Sequence, residues 1–99
     1  MLLVTFAAAV LAVTQPATPV GTSATLSTPR EVALTLDGHV WRCDAAGQCV
    51  GRGGGGVTQP LMRECRRFVA RVGAVSAYAR NDLALTEAEV AQCNAAVRP

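Results

Sequence analysis

Four cysteines, Cys43, Cys49, Cys65 and Cys93, in a chain of 99 residues constrain this fold more than any other feature. A domain this short buries a limited core, and cross-links that restrict the unfolded chain offset the shortfall. Cysteines persist as disulfides in oxidising compartments. Residues 2–13, LLVTFAAAVLAV, suggest the route to one. They carry no charge, are too short to span a bilayer, and match the apolar core of a secretory signal. The basic residues that usually precede such a core are missing, which fits either a weak signal or a start upstream of Met1. Cleavage is expected after Ala12, Ala17 or Ala24, the last following the small residues Thr22 and Ser23. Residues 14–29 hold Pro16, Pro19 and Pro29 among threonines, serines and alanines, a composition that buries little surface. The expected organisation is a signal peptide over 1–24, cut between 12 and 24, a disordered linker over 25–30, and one disulfide-stabilised domain over 31–97.

Within that domain, residues 31–36 alternate, with Val32, Leu34 and Leu36 on one face. Asp37-Gly38 predicts a two-residue hairpin turn that pairs Leu36 with His39, Leu34 with Trp41 and Val32 with Cys43. The only tryptophan, Trp41, then closes a small sheet, and the only histidine, His39, is a partly exposed hairpin residue. Cys43 and Cys49 enclose five residues, the spacing of a second hairpin clamped at its base; a redox pair uses two. The glycine-rich stretch 51–56 lacks the Lys-Ser or Lys-Thr of a phosphate loop and follows a short hairpin arm, so it reads as a flexible connection.

Pro60 to Val72 has the clearest helical period, with Leu61, Cys65, Phe68, Val69 and Val72 along one stripe. Thr58 or Gln59 is expected to cap it, with Pro60 at the first helical position and Gly73 at the end. Arg63, Arg67 and Arg71 line the other face at i, i+4 and i+8, with Arg66 beside them and Glu64 placed to meet Arg67. Residues 74–78 form a short strand with Val75 and Ala77 on one side, followed by a turn at Asn81-Asp82 and a brief return at Leu83 to Leu85. Thr86-Glu87-Ala88-Glu89 is a capping box that opens a second helix, and Arg98-Pro99 is its frayed end. Cys93 shares that helix's inner face with Val90, which pairs it with Cys65 and leaves Cys43 for Cys49. The fold class is α+β: an antiparallel sheet of about three strands plus a short fourth, packed against two helices and held by two disulfides.

Trp41-x-Cys43, Cys49, the Arg63-Glu64-Cys65-Arg66-Arg67 run, Gly73-Ala74-Val75 and Cys93-Asn94 together resemble a family of small exported alphaproteobacterial proteins of unassigned function. The resemblance covers about residues 32–96. It implies export and two disulfides, and transfers no activity.

The chemistry available is narrow: one histidine, no lysine and no nucleophile motif. The cysteine spacings do not follow the two close pairs of a zinc site, and no carboxylate pair suits hydrolysis. A non-enzyme without cofactor or metal is expected. The net charge of +2 is too mild for nucleic-acid binding. The expectation is a periplasmic or secreted accessory or binding module, not transmembrane after processing. Its anion-binding candidates are Arg63, Arg66, Arg67 and Arg71, facing an acidic protein or an anionic envelope component. The alternative is a self-contained structural or stress-related secreted protein without a specific ligand; a thiol-redox or enzymatic role is the remote one.

Overall fold

The computed structural model describes residues 21–53 and 59–98. Their elements in chain order are β1 (Thr22–Leu26), β2 (Val32–Leu36), β3 (His39–Cys43), β4 (Gln48–Gly53), α1 (Leu61–Val72), β5 (Val75–Arg80), β6 (Leu83–Ala84) and α2 (Glu87–Asn94). The strands form one antiparallel sheet in the order β2-β3-β4-β1-β5-β6. The α+β class and both disulfides, Cys43–Cys49 and Cys65–Cys93, are as expected, but the sheet has six strands.

The expected linker is corrected by β1. Thr22–Leu26 is the strand on which the sheet centres, paired with β4 on one side and β5 on the other. Thr22, Ala24 and Leu26 are buried while Ser23 and Thr25 are half-buried, so the segment alternates like any strand packed on one face. Its small residues resemble linker composition, but double-sided pairing satisfies its backbone and places those small side chains under the helices. The folded unit thus takes in residues 21–26 rather than starting at residue 31. The apolar run and the rest of residues 1–20, as well as residues 54–58 with Thr58, lie outside the described residues.

The β2–β3 hairpin has the expected register, Leu36↔His39, Leu34↔Trp41 and Val32↔Cys43. Asp37 and Gly38 both have positive φ, 51° and 80°, which is the two-residue turn whose twist matches the strands. Trp41 is buried and its ring centroid lies 4.4 Å from that of Phe68. Across the sheet Trp41 pairs with Gly51, where a Cβ would sit 2.7 Å from the indole. The first glycine of the glycine-rich stretch is therefore there to admit the tryptophan ring. In the next turn Asp44 Oδ1 accepts the N–H groups of Ala46 and Gln48, each at 3.0 Å, directly beside the Cys43–Cys49 link.

α1 begins one residue later than its sequence suggests. Pro60 is extended (φ −55°, ψ 138°) and stands at the N-cap with no side-chain cap; its carbonyl accepts from the Glu64 N–H at 3.0 Å. Gly73, at φ 125°, ends the helix as expected. In β5 a register shift opposite Thr25 and Leu26 brings both Val75 and Tyr78 to the core, and Ala77 is exposed rather than sharing the face of Val75. A bulge changes the parity of a strand in this way. α2 opens with the expected capping box, Thr86 Oγ1 accepting from Glu89 N–H and Glu89 Oε1 from Thr86 N–H. At its end the Asn94 amide clasps Val75, accepting its N–H at 2.9 Å and donating to its carbonyl at 2.8 Å. Both helices cover one sheet face: Cys65–Cys93 joins them, and Trp41, Phe68 and Tyr78 meet beneath α1.

Gly51→Ala tests the ring's seat. Overpacking against a fully buried indole costs about 1–3 kcal/mol, so the urea midpoint falls with the slope unchanged; an unchanged midpoint contradicts the packing described.

Candidate anion-binding face

The stripe of α1 that faces the core is Leu61, Glu64, Cys65, Phe68, Val69 and Val72. Its complement carries Arg63, Arg66, Arg67 and Arg71, all exposed as the sequence predicts. These four are not equivalent. Arg67 forms a bidentate pair with Asp37, Nε to Oδ2 at 2.7 Å and Nη2 to Oδ1 at 2.8 Å. That hydrogen bonding, with a smaller contribution from Gln59, holds the Asp37 carboxyl below its usual pKa despite partial desolvation. Arg67 thus ties α1 to the β2–β3 turn and is largely committed to the fold. Arg66 Nη1 makes one long contact, 3.5 Å, to the Gln92 carbonyl on α2. Arg63 and Arg71 have no hydrogen-bond partner among the described residues.

Glu64 does not meet Arg67. It was expected to meet Arg67 and partly neutralise the row; instead it is 5% exposed and points inward. Its Oε1 accepts from the Tyr78 hydroxyl at 3.0 Å and its Oε2 from Arg80 Nη1 at 2.9 Å, while Arg80 Nη1 also donates to the Gln59 carbonyl at 2.7 Å. The reason is helical geometry: Glu64 follows Leu61 by three and precedes Phe68 by four, inside the buried stripe. That spacing stands in the sequence, but a lone carboxylate in an apolar stripe carries no local sign that distant Tyr78 and Arg80 will satisfy it. Arg80 has no sequence signal of its own, and Asn94 enters only through the Cys93-Asn94 motif, which says nothing of its bonds to Val75. Burial, followed by the adjacent Glu64 carboxylate, pushes the Tyr78 pKa far above its ordinary value. The nearby Thr22 hydroxyl is buried without a partner among the described residues, and nothing in the structure explains it.

With Glu64 turned inward, the α1 surface is strongly one-signed. A groove of about 700 Å³ lies over it, floored by Leu36, Met62 and Ala70 and bordered by Arg63, Arg66, Arg67 and Arg71. Arg98, expected only as a frayed end, joins this rim. Five arginines stand here against one acid, Asp37, a local charge of +4. The other four arginines share the remainder with six acids, a charge of −2, and the two parts account for the chain's +2. The mild total conceals a polarised molecule. Elsewhere all four cysteines are paired, and no three histidine, cysteine or acidic side chains converge among the described residues. None of the described helices is long and apolar enough to cross a membrane.

These features define a small α+β domain with two disulfides and a basic helix surface. The chain belongs to a family described as a family of unknown function (DUF8200), which it matches over residues 4–95. The match starts inside the apolar run and takes in β1, a wider span than the motifs had suggested. No curated protein and no solved structure matches the chain.

Tyr78 is the only tyrosine, so its ionisation can be read directly. Its folded pKa is raised above the ordinary tyrosine value of 10.0, so its contribution to stability is complete below that pH and is lost as pH rises further. In an alkaline titration tyrosinate absorbance should appear only with unfolding. Ionisation near pH 10.0 in the folded protein contradicts the buried Glu64–Tyr78–Arg80 cluster.

Proposed function

We propose that this protein is a small exported, non-catalytic binding module of the periplasm or secreted fraction, and that it engages an anionic partner through the outer surface of α1. One observation carries the reading: the fold sorts its charges, placing +4 on one surface and −2 on the rest. Guanidinium groups suit carboxylate and phosphate through their planar fork. Of the four arginines of the row, Arg63, Arg66 and Arg71 are available to a ligand, joined by Arg98, while Arg67 serves the fold.

The two disulfides and the apolar run support export, as does the resemblance to exported alphaproteobacterial proteins. β1 favours the earlier of the expected cleavage sites. Cleavage after Ala24 would remove three residues of the central strand, whereas cleavage after Ala12 or Ala17 leaves it whole. N-terminal sequencing of the protein from its host should therefore find Val13 or Thr18 first. An intact Met1 in the cytoplasmic fraction would sink the export reading, and a start at Thr25 the assigned cleavage site.

The binding reading is tested by capture from the envelope fraction at low and high salt, with wild type and with Arg63, Arg66 and Arg71 changed to Gln. Arg67 stays, so the tie to Asp37 is kept. A partner held at low salt, released at high salt and lost by the variant is the expected result. Equal capture by both proteins removes the arginine face as the site, and no partner at either salt leaves a self-contained structural protein instead.

A further inference from the structure

The two edges of the sheet are finished differently. On one side β6 has two residues, too short to template another strand. On the other, β2 reads VALTL, five residues with no charge and no proline to blunt it. The turn makes Leu36–His39 a hydrogen-bonded pair, and antiparallel alternation then bonds Leu34–Trp41 and Val32–Cys43. The N–H and C=O groups of Ala33 and Thr35 are left facing away from β3, and among the described residues no strand pairs with them.

Side chains tie α1 to both ends of this edge strand. Gln59 and Arg67 reach Asp37 at the end of β2, and the Arg30 guanidinium, just before β2, donates to the Val72 carbonyl at the end of α1. Helix and strand are therefore antiparallel and of similar length, roughly 18 Å and 17 Å. With Arg67 held by Asp37, the free members of the row are Arg63 and Arg71, eight residues or about 12 Å apart along the helix, close to the roughly 13 Å between side chains four positions apart on one face of a strand. Side chains on one face of a strand added to β2 would keep nearly in step with the row. On the opposite face such a strand would lie beside Ala33 and Thr35, next to exposed Val40.

From this we infer that the anionic partner is an extended polypeptide segment that adds as a seventh strand to β2, with acidic side chains at alternate positions facing the arginine row. The inference rests on the proposed anion-binding role of α1 and gives it a polypeptide partner and a binding mode. A bilayer surface would use the arginines but leave the Ala33 and Thr35 backbone untouched.

The probe is a peptide of alternating Glu and Val, about eight residues long, with a Lys-Val peptide as control and phosphatidylglycerol vesicles as the competing surface. With the purified protein, saturating Glu-Val peptide should slow amide exchange at Ala33 and Thr35 by roughly tenfold or more, and the Lys-Val peptide should not bind. Ala33→Pro removes an outward N–H without touching the β3 ladder, so it should weaken binding by about tenfold or more while the thermal midpoint stays near wild type. Unchanged exchange at both amides, or a folded Ala33→Pro that binds as wild type does, overturns the inference. If the vesicles bind through Arg63 and Arg71 while the peptide does not, strand addition is wrong and the anion-binding reading stands. If neither binds wild type, both fail.

Discussion

The structure depends on β1 lying between two units that would otherwise be separate. β2, β3 and β4 form a meander and β5 with β6 a hairpin; they share a sheet only because Thr22–Leu26 pairs with β4 and with β5. Its ends are fastened as well. Leu26 N–H donates to the Gly47 carbonyl at 2.8 Å, Ser27 N–H to Ala74 at 2.9 Å, and Gly21 exchanges bonds with Asn81. Neither disulfide includes this strand: one closes the β3–β4 hairpin and the other joins the helices. β1 is held by hydrogen bonds and burial without a covalent link, and it brings Trp41, Phe68 and Tyr78 from three elements into one cluster.

That cluster determines how charge is distributed. α1 must present an unbroken stripe to the aromatic rings, and Glu64 falls within it. Burying the carboxylate is tolerated because Tyr78 and Arg80 both donate to it, and removing Arg80 would leave the buried Glu64 without its counter-charge, at a cost of about 3–5 kcal/mol. The same arrangement strips the outer surface of its one intrahelical counter-charge. The arginine face and the buried ion pair are thus two results of one helical register.

Much of this was legible because it is local. The Asp37-Gly38 turn fixes the hairpin register, the apolar period fixes the inner face of α1, and Thr86 with Glu89 fixes the start of α2. Both disulfides follow from those elements. What was hidden is non-local. β1 is paired only with distant strands, and its small polar residues look like a linker when read alone. The bulge in β5 is imposed by its neighbour β1, and Arg67 finds its partner 30 residues away in a turn. Arg98, beyond α2, reaches the candidate site because α2 packs on α1 and is joined to it at Cys65–Cys93.

The central claim is that β1 is the inner strand of the domain and not the tail of a leader. Native-state amide exchange across the whole protein tests it most directly. Held between two partners, the β1 amides should open only with global unfolding and rank with those of β3 and β4 in protection. Exchange at Ser23, Ala24 and Thr25 as fast as in a free peptide would contradict the account, and with it the sheet on which the arginine face is built.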